Sequence, residues 1–190
     1  SEDCDPQVSF IRTWLIGNIG DKRILEIGIG KGRLLNAFKA ISQGSNLSIQ
    51  YYGIDPIEEN LEKANNFFQS QRFPIISNPI QLKSDLKSLI LDEASIDLCI
   101  LANVLHEISP DKLEDLFNQI FLKLKNQAKI CILEQLELPH GEKEYLMFHG
   151  EAINKIFQQL KSSRHISIVE ANPISHGNKP LLELIITIEN

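Results

Sequence analysis

A glycine-rich segment follows the first apolar run of the chain, and its residue types could hold a nucleotide-like ligand. Gly28, Gly30 and Gly32 recur at every second position, two residues after Glu26. Glycine tolerates a left-handed backbone and lets a ligand approach without a Cβ in the way. The spacing is not that of a P-loop, and Arg33 stands where a dinucleotide fingerprint needs a small residue. The Glu26 carboxylate suits a ligand with ammonium and sulfonium groups. The alternative is a purely structural strand–helix turn.

Acidic side chains at the ends of the next two predicted strands extend this pattern. Asp55 ends the second strand, where a carboxylate can accept hydrogen bonds from both hydroxyls of a ribose. It could instead cap the helix that is predicted to begin at Pro56. Ser84 and Asp85 end the third strand, where a carboxylate could accept from the exocyclic amine of adenine. Asp85 is equally suited to be the N-cap of a short helix over residues 86–91, so both alternatives stay open.

A histidine and two glutamates form a second candidate site further along the chain. His106 and Glu107 come just after the fourth predicted strand and Glu134 ends the fifth, at the edge where open α/β sheets bind ligands. Histidine can take up a proton near neutral pH, so His106 is a candidate general base; a structural histidine in a loop is the alternative. His140 and His149 follow, but their spacing matches no compact metal motif, and we predict no metal site.

Strands and helices alternate along the chain, which would bring the candidate residues to one edge of a sheet. Apolar runs bounded by turn residues predict strands, and apolar residues at helical spacing predict helices. The predicted strands are Arg23–Ile27, Ser48–Ile54, Ile80–Lys83, Ser95–Leu101, Ala128–Glu134, His165–Glu170 and Leu181–Ile188. The predicted helices are 8–17, Lys31–Ile41, 56–69, Leu86–Leu91, a helix with Ser109 as N-cap and Pro110 at its first position, and Glu142–Leu160.

The last two predicted strands are joined without a long helix, through a loop that contains Pro173, Gly177 and Pro180. They can therefore pair as antiparallel neighbours. We predict an α/β fold with a doubly wound, mostly parallel seven-stranded sheet, a reversed terminal strand and helices on both faces. A chain of 190 residues fits a single domain, 1–190, and its start at Ser rather than Met is compatible with excision from a longer protein.

Composition narrows the class of protein further. The formal net charge is −6 and the sequence pI is about 5.4, which disfavours binding to a nucleic-acid backbone. Cys99 and Cys131 lie inside apolar runs, so we expect buried free thiols and a reducing, cytoplasmic location. No apolar run approaches the roughly 18–20 residues that a membrane span needs, and we expect no membrane association.

Over nearly its whole length the sequence resembles the class I S-adenosylmethionine-dependent methyltransferases, a family with a seven-stranded, Rossmann-like fold. Residues 24–33 resemble the family's first motif, and Asp55 matches the acidic end of its second strand. Ser84–Asp85 matches its adenine-contact position, and residues 96–108 resemble its strand-four segment. The resemblance implies that S-adenosylmethionine is the cofactor and S-adenosylhomocysteine the product.

The resemblance also implies a role for each residue of the cofactor site. Gly28, Gly30 and Gly32 would pass under the methionine part of the cofactor, and Glu26 would contact its amino end. Asp55 would bind the ribose. Contacts near the adenine and along the strand-four segment would come from Ser84, Asp85 and Asn103.

On the acceptor side the resemblance is looser. Residues 104–109 resemble small-molecule O-methyltransferases in which a His followed by Asp and Trp supplies the base; here Glu107 and Ile108 replace the last two. The Asn/Asp-Pro-Pro-aromatic motif of nucleic-acid base methyltransferases is missing after strand four. We therefore expect O-methylation of a small or carrier-bound metabolite, with His106 as base and Glu107 beside it. Alternatives are a protein, peptide or RNA acceptor, and a non-catalytic cofactor-binding domain of a larger protein.

The segment before the first strand is short, at residues 1–22, for the helices that often cover the acceptor pocket in the family. We expect this pocket to be open, or to be completed by a partner domain or a second copy of the chain.

Overall fold

The structure, a computed structural model, describes residues 6–39, 46–135, 165–176 and 179–189. The chain divides into two compact units, an N-terminal unit (Ser1–Leu91) and a C-terminal unit (Asp92–Asn190). Within the described ranges, no helix is long and apolar enough to cross a membrane. The predicted helix Glu142–Leu160 lies outside these ranges, as do Gly177, His140 and His149.

The N-terminal unit alternates strands and helices. Its elements are α1 (Pro6–Ile16), β1 (Gly20–Ile27), a 3₁₀ turn (Arg33–Leu35), α2 (Asn36–Lys39), β2 (Leu47–Ile54), α3 (Glu58–Ser70), β3 (Gln81–Lys83) and a second 3₁₀ turn (Leu86–Ser88). The strands lie in the order β3-β2-β1 and are parallel. Glu26 is paired with Gly53 and Ile27 with Ile54, so the polypeptide leaves β1 and β2 at the same edge.

The C-terminal unit begins with a second parallel pair. Its elements are β4 (Ile96–Ala102), a 3₁₀ turn (Leu105–Glu107), α4 (Pro110–Lys123), β5 (Leu124–Gln135), β6 (His165–His176) and β7 (Lys179–Glu189). β4 and β5 are parallel, and β7 runs antiparallel to both β5 and β6, in the order β4-β5-β7-β6. Ala102 is paired with Leu133, which places the loop after β4 beside the end of β5.

The central strands are apolar because they are buried on both faces. Leu98, Cys99, Ile100 and Leu101 of β4 are wholly buried, and so is the stretch Ile130–Leu133 of β5. Continuous apolar runs of this kind are typical of parallel strands covered on both sides. The predicted α/β class, with parallel strands connected through helices, is confirmed. Cys99 and Cys131 are buried thiols, as predicted.

Several predicted boundaries in the N-terminal unit were wrong. The helix predicted over Lys31–Ile41 begins later, because Gly32 is in a left-handed conformation that cannot belong to a helix; a 3₁₀ turn over Arg33–Leu35 leads into α2. Pro56 lies outside α3, which begins at Glu58 after Ile57 as N-cap. The helix predicted over 86–91 is a single 3₁₀ turn that ends at Ser88.

In the C-terminal unit the last three predicted strands are too short, whereas β4 differs from the prediction by one residue at each end. β5 begins at Leu124, directly after α4, although the sequence there is polar. Pro173 and Pro180 lie in β6 and β7 rather than in a loop. Proline is tolerated at these places because β6 is an edge strand in this unit and Pro180 is the second residue of β7.

Candidate functional site

The turn after β1 depends on glycine at three positions. Gly28, Gly30 and Gly32 have φ angles of 72°, 54° and 82°, all in the left-handed region. The amides of Gly28 and Ile29 donate to the Ile54 carbonyl at 2.8 and 3.0 Å, which ties the turn to the end of β2. A residue with a Cβ pays roughly 1–2 kcal/mol for this conformation. The triple-glycine spacing is therefore a backbone requirement.

Two of these glycines differ in what surrounds them. A Cβ built on Gly32 would lie 3.2 Å from the Cα and Cβ of Ala64 in α3, so the absence of a side chain lets the turn pack against that helix. A Cβ built on Gly30 would meet nothing within 4 Å. Gly32 thus serves packing, whereas the space beside Gly30 is open.

Asp55 links this turn to the start of α3. Its carboxylate is 5% exposed and accepts three hydrogen bonds: from the Gly30 amide to Oδ2 at 2.8 Å, and from the Ile57 amide and Asn60 Nδ2 to Oδ1 at 2.9 and 3.2 Å. Part of the structural alternative is therefore realised, because Asp55 holds the residue that precedes α3. The same carboxylate also fixes the glycine turn, a contact that the sequence analysis did not anticipate.

Glu26 is buried at the end of β1, with 2% of its surface exposed. Its Oε2 accepts a hydrogen bond from the hydroxyl of Tyr51 in β2. Burial raises the pKa of Glu26 well above its ordinary value; the Arg33 guanidinium opposes this effect and the Asp55 carboxylate adds to it. This carboxyl group therefore holds its proton more tightly than an exposed glutamate does.

Asp85 is the N-cap of the 3₁₀ turn after β3, as one of its two predicted roles required. Its Oδ1 accepts from the Ser88 amide at 2.9 Å, and its carboxylate also accepts from the hydroxyls of Ser88 and Ser84 at 3.0 and 3.4 Å. Hydrogen bonds from Ser88 lower the pKa of this exposed carboxyl group. Contact with adenine stays a prediction for both Ser84 and Asp85.

In the C-terminal unit, the loop after β4 begins with a left-handed residue that is not glycine. Asn103 has a φ of 54°, a conformation in which asparagine is enriched among residues other than glycine. The backbone N–H of Asn103 donates to the Leu133 carbonyl at 2.7 Å, so the loop is anchored to the end of β5. The 3₁₀ turn that follows carries His106 and Glu107.

Glu134 holds this loop from β5. It is wholly buried, and its Oε1 accepts from the amides of Val104 and Leu105 at 2.8 and 2.7 Å. Its Oε2 lies 2.9 Å from Nδ1 of His106, which is itself only 3% exposed. From the sequence, Glu134 was predicted at this edge of the sheet, but its contacts with His106 and the loop were not. The signal was an acidic residue directly after a run of buried apolar ones.

The Glu134 contact selects one form of the His106 ring. A carboxylate only accepts hydrogen bonds, so Nδ1 carries the proton and the lone pair of the neutral imidazole is on Nε2. Nε2 lies 3.9 Å from Oε1 of Glu107, whose side chain is largely exposed. The arrangement can take up a proton at Nε2 and stabilise the resulting imidazolium with two carboxylates.

No metal site emerges from the part of the chain that the structure describes. Within it, no group of three or more His, Cys, Asp or Glu side chains is placed to hold a metal ion.

Comparisons with known proteins identify the fold. A sequence model described as a methyltransferase domain matches residues 25–132. No match is found among curated proteins. Among solved structures, an S-adenosylmethionine-dependent methyltransferase from Aquifex aeolicus is similar with a TM-score of 0.70 and 15% identity, covering 95% of this chain and 89% of that one.

Two further structures are similar over most of the chain. Magnesium protoporphyrin IX methyltransferase from Synechocystis PCC 6803, with bound S-adenosylmethionine, has a TM-score of 0.68 and 17% identity, and the match covers 97% of this chain and 79% of that one. The cyclase SpnF has a TM-score of 0.70 and 11% identity, with 96% and 80% covered. At these identities the structures establish the fold alone.

Proposed function

The chain belongs to the methyltransferase domain family, and from this membership we propose that it transfers the methyl group of S-adenosylmethionine to an oxygen atom of a small or carrier-bound metabolite. It is a methyltransferase of the S-adenosylmethionine-dependent class. The matched segment contains the glycine turn, Asp55 and the loop after β4. The cofactor bound to the Synechocystis neighbour supports the same cofactor here, with S-adenosylhomocysteine as the product.

The N-terminal unit supplies the proposed cofactor contacts. The left-handed glycines at 28, 30 and 32 leave a backbone without side chains for the methionine part of the cofactor. Oδ2 of Asp55 accepts one hydrogen bond from Gly30, and a carboxylate oxygen has a second lone pair that a ribose hydroxyl can use. Glu26 is assigned to the amino end of the cofactor. Ser84 and Asp85 are assigned to the adenine, and Asn103 is also proposed as a cofactor contact.

The observation that supports an oxygen acceptor is the hydrogen bond between Glu134 and Nδ1 of His106. Methyl transfer from a sulfonium is an in-line displacement, so the enzyme must position the nucleophile and, for a hydroxyl acceptor, remove its proton. When bound, S-adenosylmethionine would supply the methyl group to the acceptor oxygen and leave as a neutral thioether, while the hydroxyl proton would pass to Nε2. Glu134 and Glu107 would stabilise the imidazolium.

Other features of the proposal come from the sequence. The acidic net charge favours a metabolite over RNA as acceptor. A protein or peptide acceptor and a non-catalytic binding domain remain the alternatives, and the similarity to a cyclase is a reminder that fold does not fix the reaction. A single doubly wound seven-stranded sheet is also part of the proposal, and the antiparallel pairing of β7 supports its reversed strand. We also propose a cytoplasmic location, and a partner domain or a second copy of the chain that covers the acceptor pocket.

Calorimetry with S-adenosylmethionine tests the cofactor assignment first. The purified chain should release or absorb heat on binding and melt at a higher temperature when the cofactor is present. If neither effect is seen, the cofactor assignment fails. Transfer of a labelled methyl group to a panel of free and carrier-bound hydroxyl and carboxyl metabolites then tests the acceptor class.

His106→Asn tests the proposed base. The asparagine amide can still donate to Glu134 from the position of Nδ1, but it cannot take up a proton. We expect kcat to fall by about 10²–10⁴-fold while the affinity for S-adenosylmethionine and the melting temperature stay close to wild type. Undiminished turnover would assign His106 a structural role and leave the acceptor class without its main support.

A further inference from the structure

The hydroxyl of Tyr51 reaches Glu26 across two neighbouring strands. In the parallel register Tyr51 is paired with Ile24, so Glu26 lies two residues further along β1 on the same face of the sheet. The tyrosine side chain covers this diagonal distance, and its hydroxyl donates to Oε2 of Glu26. Among the described residues, this is the hydrogen bond that the structure places on the Glu26 carboxyl group.

The tyrosine ring is held firmly enough to act as a fixed support. It is 2% exposed and makes an edge-on contact with Phe38, with centroids 5.7 Å apart and planes at 87°. A ring packed in this way has no rotamer freedom to lose when a ligand binds. Its hydroxyl therefore presents a pre-positioned donor at the carboxyl group two residues before the glycine turn.

We propose that Tyr51 is a positioning residue for the amino end of the cofactor, because it orients the Glu26 carboxyl group that receives the ammonium. The inference rests on the proposed function of Glu26. A buried carboxyl with few donors gains most from a charged donor supplied by a ligand, provided that its orientation is fixed beforehand. The charges of Arg33 and Asp55 have opposite effects on the pKa of Glu26. The phenol therefore sets the direction of the carboxyl group.

Tyr51→Phe is the direct test, because it removes the hydroxyl and keeps the ring. Binding is measured by calorimetry with two ligands: S-adenosylmethionine, and 5′-methylthioadenosine, which lacks the amino-acid end. We expect Tyr51→Phe to weaken the first by about tenfold, as for a hydrogen bond to a charged group, and to leave the second unchanged. In the Glu26→Gln background, Tyr51→Phe should add almost no further loss for S-adenosylmethionine.

The next residue of β2 offers a matched control. The hydroxyl of Tyr52 donates to Gln50 at 3.3 Å, and its side chain is also buried, so Tyr52→Phe removes a comparable group that does not touch Glu26. Tyr52→Phe should leave both affinities at the wild-type level.

The outcomes separate this inference from the proposed function. If the wild-type chain does not bind S-adenosylmethionine, the cofactor assignment itself fails. If the wild type binds it and Tyr51→Phe weakens neither ligand, or both equally, the positioning role is wrong. Should Tyr51→Phe not fold, 4-fluorophenylalanine at position 51, which keeps the size of tyrosine but has no hydroxyl donor, takes its place: it must weaken S-adenosylmethionine and spare 5′-methylthioadenosine, and an equal loss for both overturns the proposal.

Discussion

The turn after β1 and the loop after β4 both follow a buried parallel strand, yet different groups hold them in place. Three left-handed glycines shape the first, with hydrogen bonds from its backbone to Ile54 and Asp55. The second has one left-handed residue, Asn103, and is held by the buried side chain of Glu134. The first arrangement keeps side chains away from the backbone, and the second brings a titratable ring to a fixed place.

The two buried glutamates show the same contrast. Glu134 accepts two backbone amides and one imidazole N–H, which compensates for its removal from water. At Glu26 the structure places one phenol hydroxyl, and burial raises the pKa of this carboxyl group. The difference indicates that Glu134 stabilises the folded chain, whereas Glu26 is retained at a cost in stability and is suited to a cationic ligand.

The largest expected effect comes from Glu134→Ala. The amides of Val104 and Leu105 would lose their acceptor, and a buried unsatisfied donor costs roughly 1–3 kcal/mol. We therefore expect the free energy of unfolding to fall by about 3 kcal/mol, measured by urea denaturation. A change below roughly 0.5 kcal/mol, the range of ordinary surface substitutions, would remove the contrast between the two glutamates.

Glu134→Gln is the matched control for the same position. Its amide oxygen can still accept the two backbone donors, so the stability loss should be smaller, about 1 kcal/mol. Its amide N–H₂ would face Nδ1 of His106 and shift the ring proton to Nε2. Turnover should then fall although the loop is intact, and full turnover would contradict the proposed role of the Glu134–His106 hydrogen bond.

Substitutions at Gly32 and Gly30 give the next largest effects and sharpen the description of the first turn. Gly32→Ala combines a left-handed alanine with the 3.2 Å contact to the Ala64 backbone, so we expect a loss of about 2 kcal/mol in unfolding free energy. Gly30→Ala has open space and should lose only about 1 kcal/mol. For the affinity towards S-adenosylmethionine we expect the opposite order: Gly30→Ala should lose more than Gly32→Ala, because the added methyl group at Gly30 would obstruct the cofactor.

Calorimetry and denaturation of both glycine variants check this pair of predictions. Equal stability losses would mean that the contact with α3 is accommodated without cost. An affinity for S-adenosylmethionine that is unchanged in Gly30→Ala would place the cofactor away from this part of the turn.

Much of the N-terminal unit could be predicted because its signals are local. A left-handed turn is encoded by the glycines themselves, and the last four residues of both β1 and β2 are buried and mostly apolar. The sequence alone could not decide between the two predicted roles of Asp55, because the same carboxylate contacts both Gly30 and Ile57. That geometry depends on the pairing of β1 with β2.

The C-terminal unit was predicted less completely because its key contacts join residues far apart in sequence. The Glu134–His106 contact requires β4 and β5 to be adjacent and in register, which no local pattern specifies. The start of β5 was not predicted because residues 125–127, which follow Leu124, are polar. Lys125 there pairs with Asp97 of β4 at 2.9 Å, so polar residues occupy a strand position through an ion pair.

The smallest and most diagnostic effect is expected from Glu26→Gln, which tests whether Glu26 is held at a cost. The unfolded chain ionises this group near its ordinary value of 4.5, whereas the folded chain keeps the proton to higher pH. Between these two pKa values the folded state binds more protons, so the stability of the wild type falls as the pH rises. Glutamine does not titrate and can still accept from Tyr51. Glu26→Gln should therefore match the wild type at acidic pH and exceed it increasingly towards neutrality.

Asp85→Asn provides a control of opposite sign in the same unit. Hydrogen bonds from Ser88 lower the pKa of Asp85, so its ionised form stabilises the folded chain above the ordinary value of 3.8, and this contribution is lost as the pH falls through the lower folded value. Asp85→Asn should therefore be less stable than the wild type at neutral pH, with a difference that shrinks on acidification. Urea denaturation from about pH 3 to pH 8 measures both variants. A Glu26→Gln difference that is constant over this range would show that Glu26 is as well compensated as Glu134, and the contrast between the two buried glutamates would be lost.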